Sequence, residues 1–249
     1  MSKVTFKGAL GDELAARLDS PENPKAYVLF AHCFSCNKDL SAINRIARTL
    51  NEEGIALFRF DFTGLGVSNG DFANTNFSSN VQDLVAAANF MRETMMAPCV
   101  LIGHSFGGTA AIVAASQIPE IRAVATIGSP ADTEHVQHNF ACDIDRIKNE
   151  GQAEVTLVGR KFTIKKQFLE DIESQKITDH IANLKRALLV MHSPVDQQVG
   201  IENAAKIYMA AKHPKSFVSL DKADHLLMQD TADGIYVAKV LAAWASRYI

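Results

Sequence analysis

Apolar residues along the chain fall into two recurring patterns. Short, nearly unbroken apolar runs alternate with longer stretches in which apolar residues return every three or four positions. The runs are Lys25–Ala31, Ile55–Phe60, Cys99–Ile102, Ala123–Ile127, Ala187–Met191 and Ser216–Leu220, and their length and composition predict buried strands. The periodic stretches predict helices. Leu40–Asn51 places Ile43, Ile46, Ala47 and Leu50 on one face, with Gly54 where a glycine would close the helix. Asn80–Thr94 does the same with Val81, Leu84, Val85, Ala88 and Met91, and Ser105–Ser116, Ile201–Lys212 and Thr231–Ala245 follow. Ahead of them, Lys3–Lys7 and Glu13–Leu18 read as a hairpin around Gly8–Gly11.

Apolar strands alternating with helices imply a mostly parallel, doubly wound α/β sheet covered on both faces. One segment breaks the alternation. Between Pro130 and Lys185 the chain starts polar and then offers a hairpin, Ala153–Val158 and Lys161–Lys165 about Gly159-Arg160, followed by short helices at Gln167–Ile172 and Asp179–Leu184. Such a segment is too small for a core of its own. The expectation is therefore one domain over residues 1–249, with a small inserted cap at about 131–184 roofing the sheet.

Composition narrows the options. Lys plus Arg is 25 and Asp plus Glu 28, a net charge of −3, with 47% hydrophobic and 21% charged residues. That balance argues against a basic nucleic-acid binder and against disorder. No apolar run is long enough to span a membrane, and no apolar stretch follows Lys3 as an export signal would require. A reducing cytoplasm is the expected compartment, and Cys33, Cys36, Cys99 and Cys142 are expected to be thiols.

The most specific local signal is Gly103-His104-Ser105-Phe106-Gly107-Gly108, lying between an apolar strand and a helix. A G-x-S-x-G sequence in that context forms a tight turn that lifts the serine above the sheet beside a helix N-terminus. Serine needs a base, and the base an orienting acid. With this motif the chain order is Ser, acid, His. Asp196 follows the strand ending at Met191, and His225 follows the last strand, so Ser105, Asp196 and His225 all stand at C-terminal strand ends, where open α/β sheets bind ligands. Asp224 and Asp221 are rival acids. His104 should point away from the serine, His32 should shape its loop, and His192, His135, His138, His180 and His213 are expected in packing or surface roles.

An acyl intermediate also needs fixed N–H donors for its oxyanion. The residue after the serine, Phe106, supplies one, and the loop after the third strand, His32–Asn37, supplies the other, with Phe34 preferred and Cys33 next. Cys33 and Leu226 are expected to line the substrate pocket, with Phe34 and Phe106 as further apolar lining. Cys33 and Cys36 form a C-x-x-C spacing that reads either as two buried thiols or as a redox pair. A zinc site lacks further ligands at suitable spacing, so neither metal nor organic cofactor is expected.

These landmarks together resemble an α/β-hydrolase over essentially the whole chain. FAHCFSCNKDLSA, RFDFTGLGVSNGDF and NTNFSSNVQDL look more specifically like the hydrolase half of bifunctional hydrolase/OsmC-type proteins. The resemblance implies Ser105 as nucleophile, His225 as base and Asp196 as orienting acid. Two departures stand out: Cys33 occupies a position that often carries glycine, and a hydrolase without the OsmC-type segment is the expectation. The expected activity is a serine esterase on small to medium acyl esters, acting on a small-molecule substrate without nucleic acid or membrane. A thioesterase or amidase would use the same residues, and a binding or regulatory protein of this fold is the alternative of a different class.

Overall fold

A computed structural model describes residues 2–157 and 159–249. The chain opens with an antiparallel hairpin, β1 (Ser2–Lys7) and β2 (Glu13–Asp19), with Phe6 opposite Leu14. The Gly8 N–H donates to Asp12 O at 2.9 Å, and Gly11 takes the left-handed conformation with φ 85°, so the turn is glycine-dependent as expected.

Strands β3 (Ala26–Ala31), β4 (Ile55–Phe60), β5 (Val100–His104), β6 (Ala123–Ile127), β9 (Ala187–His192) and β10 (Lys215–Ser219) are parallel to one another. With the first hairpin they make an eight-stranded sheet in the order β1-β2-β4-β3-β5-β6-β9-β10. The edge pair is the antiparallel part, since β2 joins β4 antiparallel. The fold is thus the α/β-hydrolase arrangement.

Why the central strands read as unbroken apolar runs is now evident. Alternate residues of a strand face opposite sides. In β3, Leu29 and Ala31 enter the core on one face, and Val28 and Phe30 the core on the other. Helices α1 (Ser41–Glu52) and α8 (Thr231–Ala245) cover the second face; α2 (Phe77–Thr94), α3 (Phe106–Ala114) and α7 (Glu202–Ala210) cover the first. Both faces must therefore be apolar, which erases the period-two signal.

Helix α2 starts three residues before its periodic stretch. Asn76 Oδ1 accepts the Ser79 N–H at 2.8 Å, and Ser79 Oγ accepts the Asn76 N–H at 2.9 Å, a reciprocal cap that extends the helix beyond its apolar stripe.

Between β6 and β9 the chain makes 3₁₀ turns over Glu134–Asp143, then α4 (Ile144–Glu150), a separate hairpin of β7 (Gln152–Leu157) and β8 (Arg160–Lys165), α5 (Lys166–Ser174) and α6 (Ile177–Ala182). Val158, where the first strand of that hairpin is expected to end, lies outside the described residues. The turns and α4 went unpredicted because their apolar residues are too sparse for a stripe. Phe140, Ile147, Val155, Phe168 and Ile172 join the same core as α2 and α3, so the excursion shares the sheet's core.

Candidate active site

Ser105 sits between β5 and α3 with φ 54° and ψ −128°. A non-glycine residue in so sparsely populated a region costs about 1–3 kcal/mol, and the surroundings hold it. Its N–H donates to Ile127 O at 2.8 Å, and its carbonyl accepts the Gly108 N–H at 2.8 Å. The flanking glycines follow from contact. A Cβ on Gly103 would strike the backbone of Gly107 and Gly108, and a Cβ on Gly107 would strike the carbonyls of Ala31 and His32. The turn can form only while strand, elbow and helix touch backbone to backbone.

The fold brings Asp196 and His225 together. His225 Nδ1 lies 2.7 Å from Asp196 Oδ2. Asp196 Oδ1 accepts the N–H groups of Gln198 at 2.8 Å and Val199 at 2.9 Å. Burial alone would raise the Asp196 pKa; the hydrogen bonds from His225 and the two backbone N–H groups outweigh it and hold the carboxyl below its usual range. Asp224 is turned to its own loop, accepting N–H from Leu226, Met228 and Gln229, and Asp221 takes the Ser219 hydroxyl at 3.1 Å. Neither rival is hydrogen-bonded to the imidazole. Gly128, at φ 55°, lies beneath the pair: a Cβ there would come within 3.2 Å of Asp196 Oδ2 and 3.4 Å of His225 Nδ1.

The loop after β3 is held at several points. The buried His32 Nδ1 donates to Cys33 O at 2.8 Å, and its Nε2 accepts the Phe62 N–H at 3.3 Å. With one nitrogen donating and the other accepting, the ring is neutral; burial holds its pKa below the ordinary value. Further along, Lys38 Nζ meets Asp61 Oδ2 at 2.8 Å, the Lys38 N–H meets Asp61 Oδ1 at 2.6 Å, and Arg59 donates to Lys38 O at 2.5 Å. Asp61 is fully buried, so the loop is anchored to the sheet by charge-assisted hydrogen bonds. Among the described residues, no protein acceptor takes the N–H of Phe34 or of Phe106.

One expectation about this loop is corrected. Cys33 and Cys36 are not thiols: they are joined as a disulfide, with their Cα atoms 5.3 Å apart. Ser35 adopts φ 59°, and the Cys36 N–H returns to Cys33 O at 3.1 Å, a tight turn that brings the two Cα atoms within disulfide range. Spacing alone did not reveal the turn. Cys99 and Cys142 are free.

Ser105, His225, Phe34 and Phe106 line a common cavity of about 280 Å³. Cys33 and Leu226, expected in the pocket, do not line it. Cys33 is buried within its loop. Leu226 lies beside Leu40 and Ile43 in a small apolar gap under α1. The remaining wall is unexpectedly polar: His135, His138 and Asn139 come from the 3₁₀ segment, and Gln197 and Gln198 from the loop of Asp196. No sequence signal marks these residues, because irregular segments carry no period that would assign a direction to a side chain. Phe34 packs on Phe106 at 5.5 Å and on Phe168 at 5.8 Å between ring centroids, tying the excursion to the loop at the site.

Among the described residues, no group of three or more His, Cys, Asp or Glu could hold a metal ion, and no helix is long and apolar enough to cross a membrane.

By its fold and its relatives, the chain belongs to the α/β-hydrolase family. It is 48% identical to the solved esterase domain of a Rhodothermus marinus protein, covering 99% of this chain and 98% of that one with a TM-score of 0.80. A family model described as serine aminopeptidase S33 matches residues 22–144. A Butyrivibrio proteoclasticus structure with ferulic acid bound has the same fold, at 19% identity over 98% of this chain and 99% of that chain, with a TM-score of 0.80. Among curated proteins, a monoglyceride lipase homolog of Monkeypox virus is 30% identical over 109 residues, 43% of this chain and 39% of that protein. An uncharacterized protein of Rickettsia prowazekii is 28% identical over 54% of this chain. The chain thus spans 39% and 58% of the lengths of the curated relatives it matches.

Proposed function

We propose that this hydrolase is a serine esterase acting on small to medium acyl esters. The observation that carries the reading is His225, bonded to Asp196 at 2.7 Å and lining the same cavity as the elbow serine. In this reading His225 takes the proton of Ser105 Oγ as that oxygen attacks the ester carbonyl. The Phe34 and Phe106 N–H groups hold the developing oxyanion. The intermediate collapses, His225 gives its proton to the departing alcohol, and an acyl-enzyme remains on Ser105. Water, deprotonated by His225, then releases the acid. Asp196 keeps Nδ1 protonated and turned from the serine, and stabilises the imidazolium that forms.

The inserted segment at about 131–184 serves as the cap, its His135, His138 and Asn139 making one wall of the cavity. A volume of about 280 Å³ with mixed lining favours a compact substrate bearing a polar group over a long acyl chain. The esterase domain to which the chain is 48% identical supports the ester class. The motif likeness to the hydrolase half of hydrolase/OsmC-type proteins belongs to the same reading.

A fluorophosphonate probe tests it. Labelling of the wild type, lost in Ser105→Ala, is the expected result, and a folded wild type that takes no label overturns the proposal. A series of p-nitrophenyl esters should show turnover falling as the acyl chain lengthens. Preference for CoA thioesters over every oxygen ester would replace esterase by thioesterase.

A further inference from the structure

Three buried histidines occupy equivalent places on the sheet. His32 follows β3, His104 ends β5 and His192 ends β9, and all are at most 4% exposed. Each ring makes a short hydrogen bond to one backbone carbonyl: His32 Nδ1 to Cys33 O at 2.8 Å, His104 Nε2 to His225 O at 2.7 Å, and His192 Nε2 to Val199 O at 2.8 Å. A carbonyl only accepts, so each of these nitrogens carries the hydrogen and the tautomer of each bond is fixed.

The three carbonyls belong to the three loops that carry the site. Fixing Cys33 O orients the Cys33–Phe34 peptide. In a trans peptide the N–H points opposite to the C=O, so the Phe34 N–H is directed away from His32. The His225 carbonyl is bound by the residue that precedes Ser105, which ties the base loop to the elbow across 121 residues. Val199 O is bound by the strand that leads into the acid loop, and the Val199 N–H binds Asp196 Oδ1 at 2.9 Å. The Asp196–Val199 turn is therefore clasped from both sides of one residue. His104 and His225 lie 5.0 Å apart, ring to ring. Burial and the nearby His225 charge hold the His104 pKa down at about 3, so its ring stays neutral while the base beside it cycles.

We propose that His32, His104 and His192 are a set of positioning residues. Each anchors one loop of the site by a single N–H···O=C bond, so that oxyanion donor, base and acid are held in register by the sheet's own strand ends. The proposal rests on the esterase reading for what is positioned, while the bonds themselves can be tested without turnover.

Paired substitutions separate positioning from mere filling. His104→Phe keeps the ring volume and loses the N–H; His104→Gln keeps an N–H donor and loses the ring. With p-nitrophenyl acetate, His104→Phe should lower kcat on the order of tenfold to a hundredfold and leave KM within about twofold, with His104→Gln recovering most of the loss. The corresponding pair at His192 should behave alike and serves as the second reading if a His104 variant fails to fold. The low-field proton signal of the His225–Asp196 hydrogen bond, read by NMR without substrate, should persist in His104→Gln and shift or vanish in His104→Phe. Phe variants with wild-type kcat and an unchanged low-field signal would overturn the proposal, as would a kcat that tracks thermal stability alone with no rescue by Gln. Wild-type protein that refuses the fluorophosphonate sinks the esterase reading instead, and the NMR comparison then still decides the positioning question.

Discussion

Asp196 divides its two oxygens between two tasks: Oδ2 holds Nδ1 of His225 at 2.7 Å, while Oδ1 takes the N–H groups of Gln198 and Val199 from its own loop. The carboxylate is thus oriented before it orients the imidazole. Asp196→Asn should keep the loop bonds through its amide oxygen and present an amide N–H to His225, which favours the wrong imidazole tautomer. The expected cost is on the order of 10³–10⁴ in kcat with the fold retained, read from steady-state kinetics and circular dichroism.

The same carboxyl sets a pH dependence of stability. Its pKa is depressed in the folded state, so its contribution is fully present above the unfolded value of about 4 and is lost as pH falls through the lower folded value. Urea unfolding at stepped pH should show wild type losing stability below about pH 4 more steeply than Asp196→Asn. Parallel curves for the two proteins would contradict this assignment.

Gly128 lies under the pair at φ 55°, where an added Cβ would come 3.2 Å from Asp196 Oδ2. Gly128→Ala should cost about 1–2 kcal/mol for the backbone conformation alone. Displacement of the pair should lower kcat by about tenfold beyond that. Thermal unfolding and ester kinetics on one preparation separate the two effects.

Lys38 carries the loop's anchor to the buried Asp61. Lys38→Met removes the cation and leaves a buried carboxylate without its ion-pair partner, a change expected to destabilise by about 3–5 kcal/mol. A double substitution of Lys38→Met with Asp61→Asn should recover part of that loss, because the uncompensated charge is gone. Denaturant midpoints of the three variants check the cycle.

The Cys33–Cys36 bond brackets Phe34. Its ring spans four residues, so reduction should free roughly 2 kcal/mol of constraint on the loop. Because the loop carries a proposed oxyanion donor, reduction with dithiothreitol should lower kcat several-fold and the melting temperature by about 4–8 °C. The Cys33→Ser, Cys36→Ser double variant should match the reduced enzyme and ignore reductant. Identical activity of oxidised and reduced wild type would remove any role for the bond.

Much of this molecule was legible in its sequence. Ile55–Phe60, Ala123–Ile127 and Thr231–Ala245 have the predicted bounds, because strands buried on both faces and helices with an apolar stripe must show those patterns whatever they pack against. Ser105, Asp196 and His225 could be placed at one end of the sheet because an elbow glycine has no substitute and a loop after a parallel strand has only one end of the sheet to occupy. Tertiary structure decided what depends on direction. Asp196 rather than Asp224 faces the imidazole because Asp224 is consumed by three N–H groups of its own loop. Leu226 left the pocket and His138 and Gln197 entered it because an irregular segment has no period to say which way a side chain turns. The C-x-x-C spacing allowed thiols or a disulfide, and the left-handed Ser35 made the bond. His32 reads from the sequence as shaping its loop, whereas the acceptor of His104 lies 121 residues away in a loop that only the folded sheet brings to it.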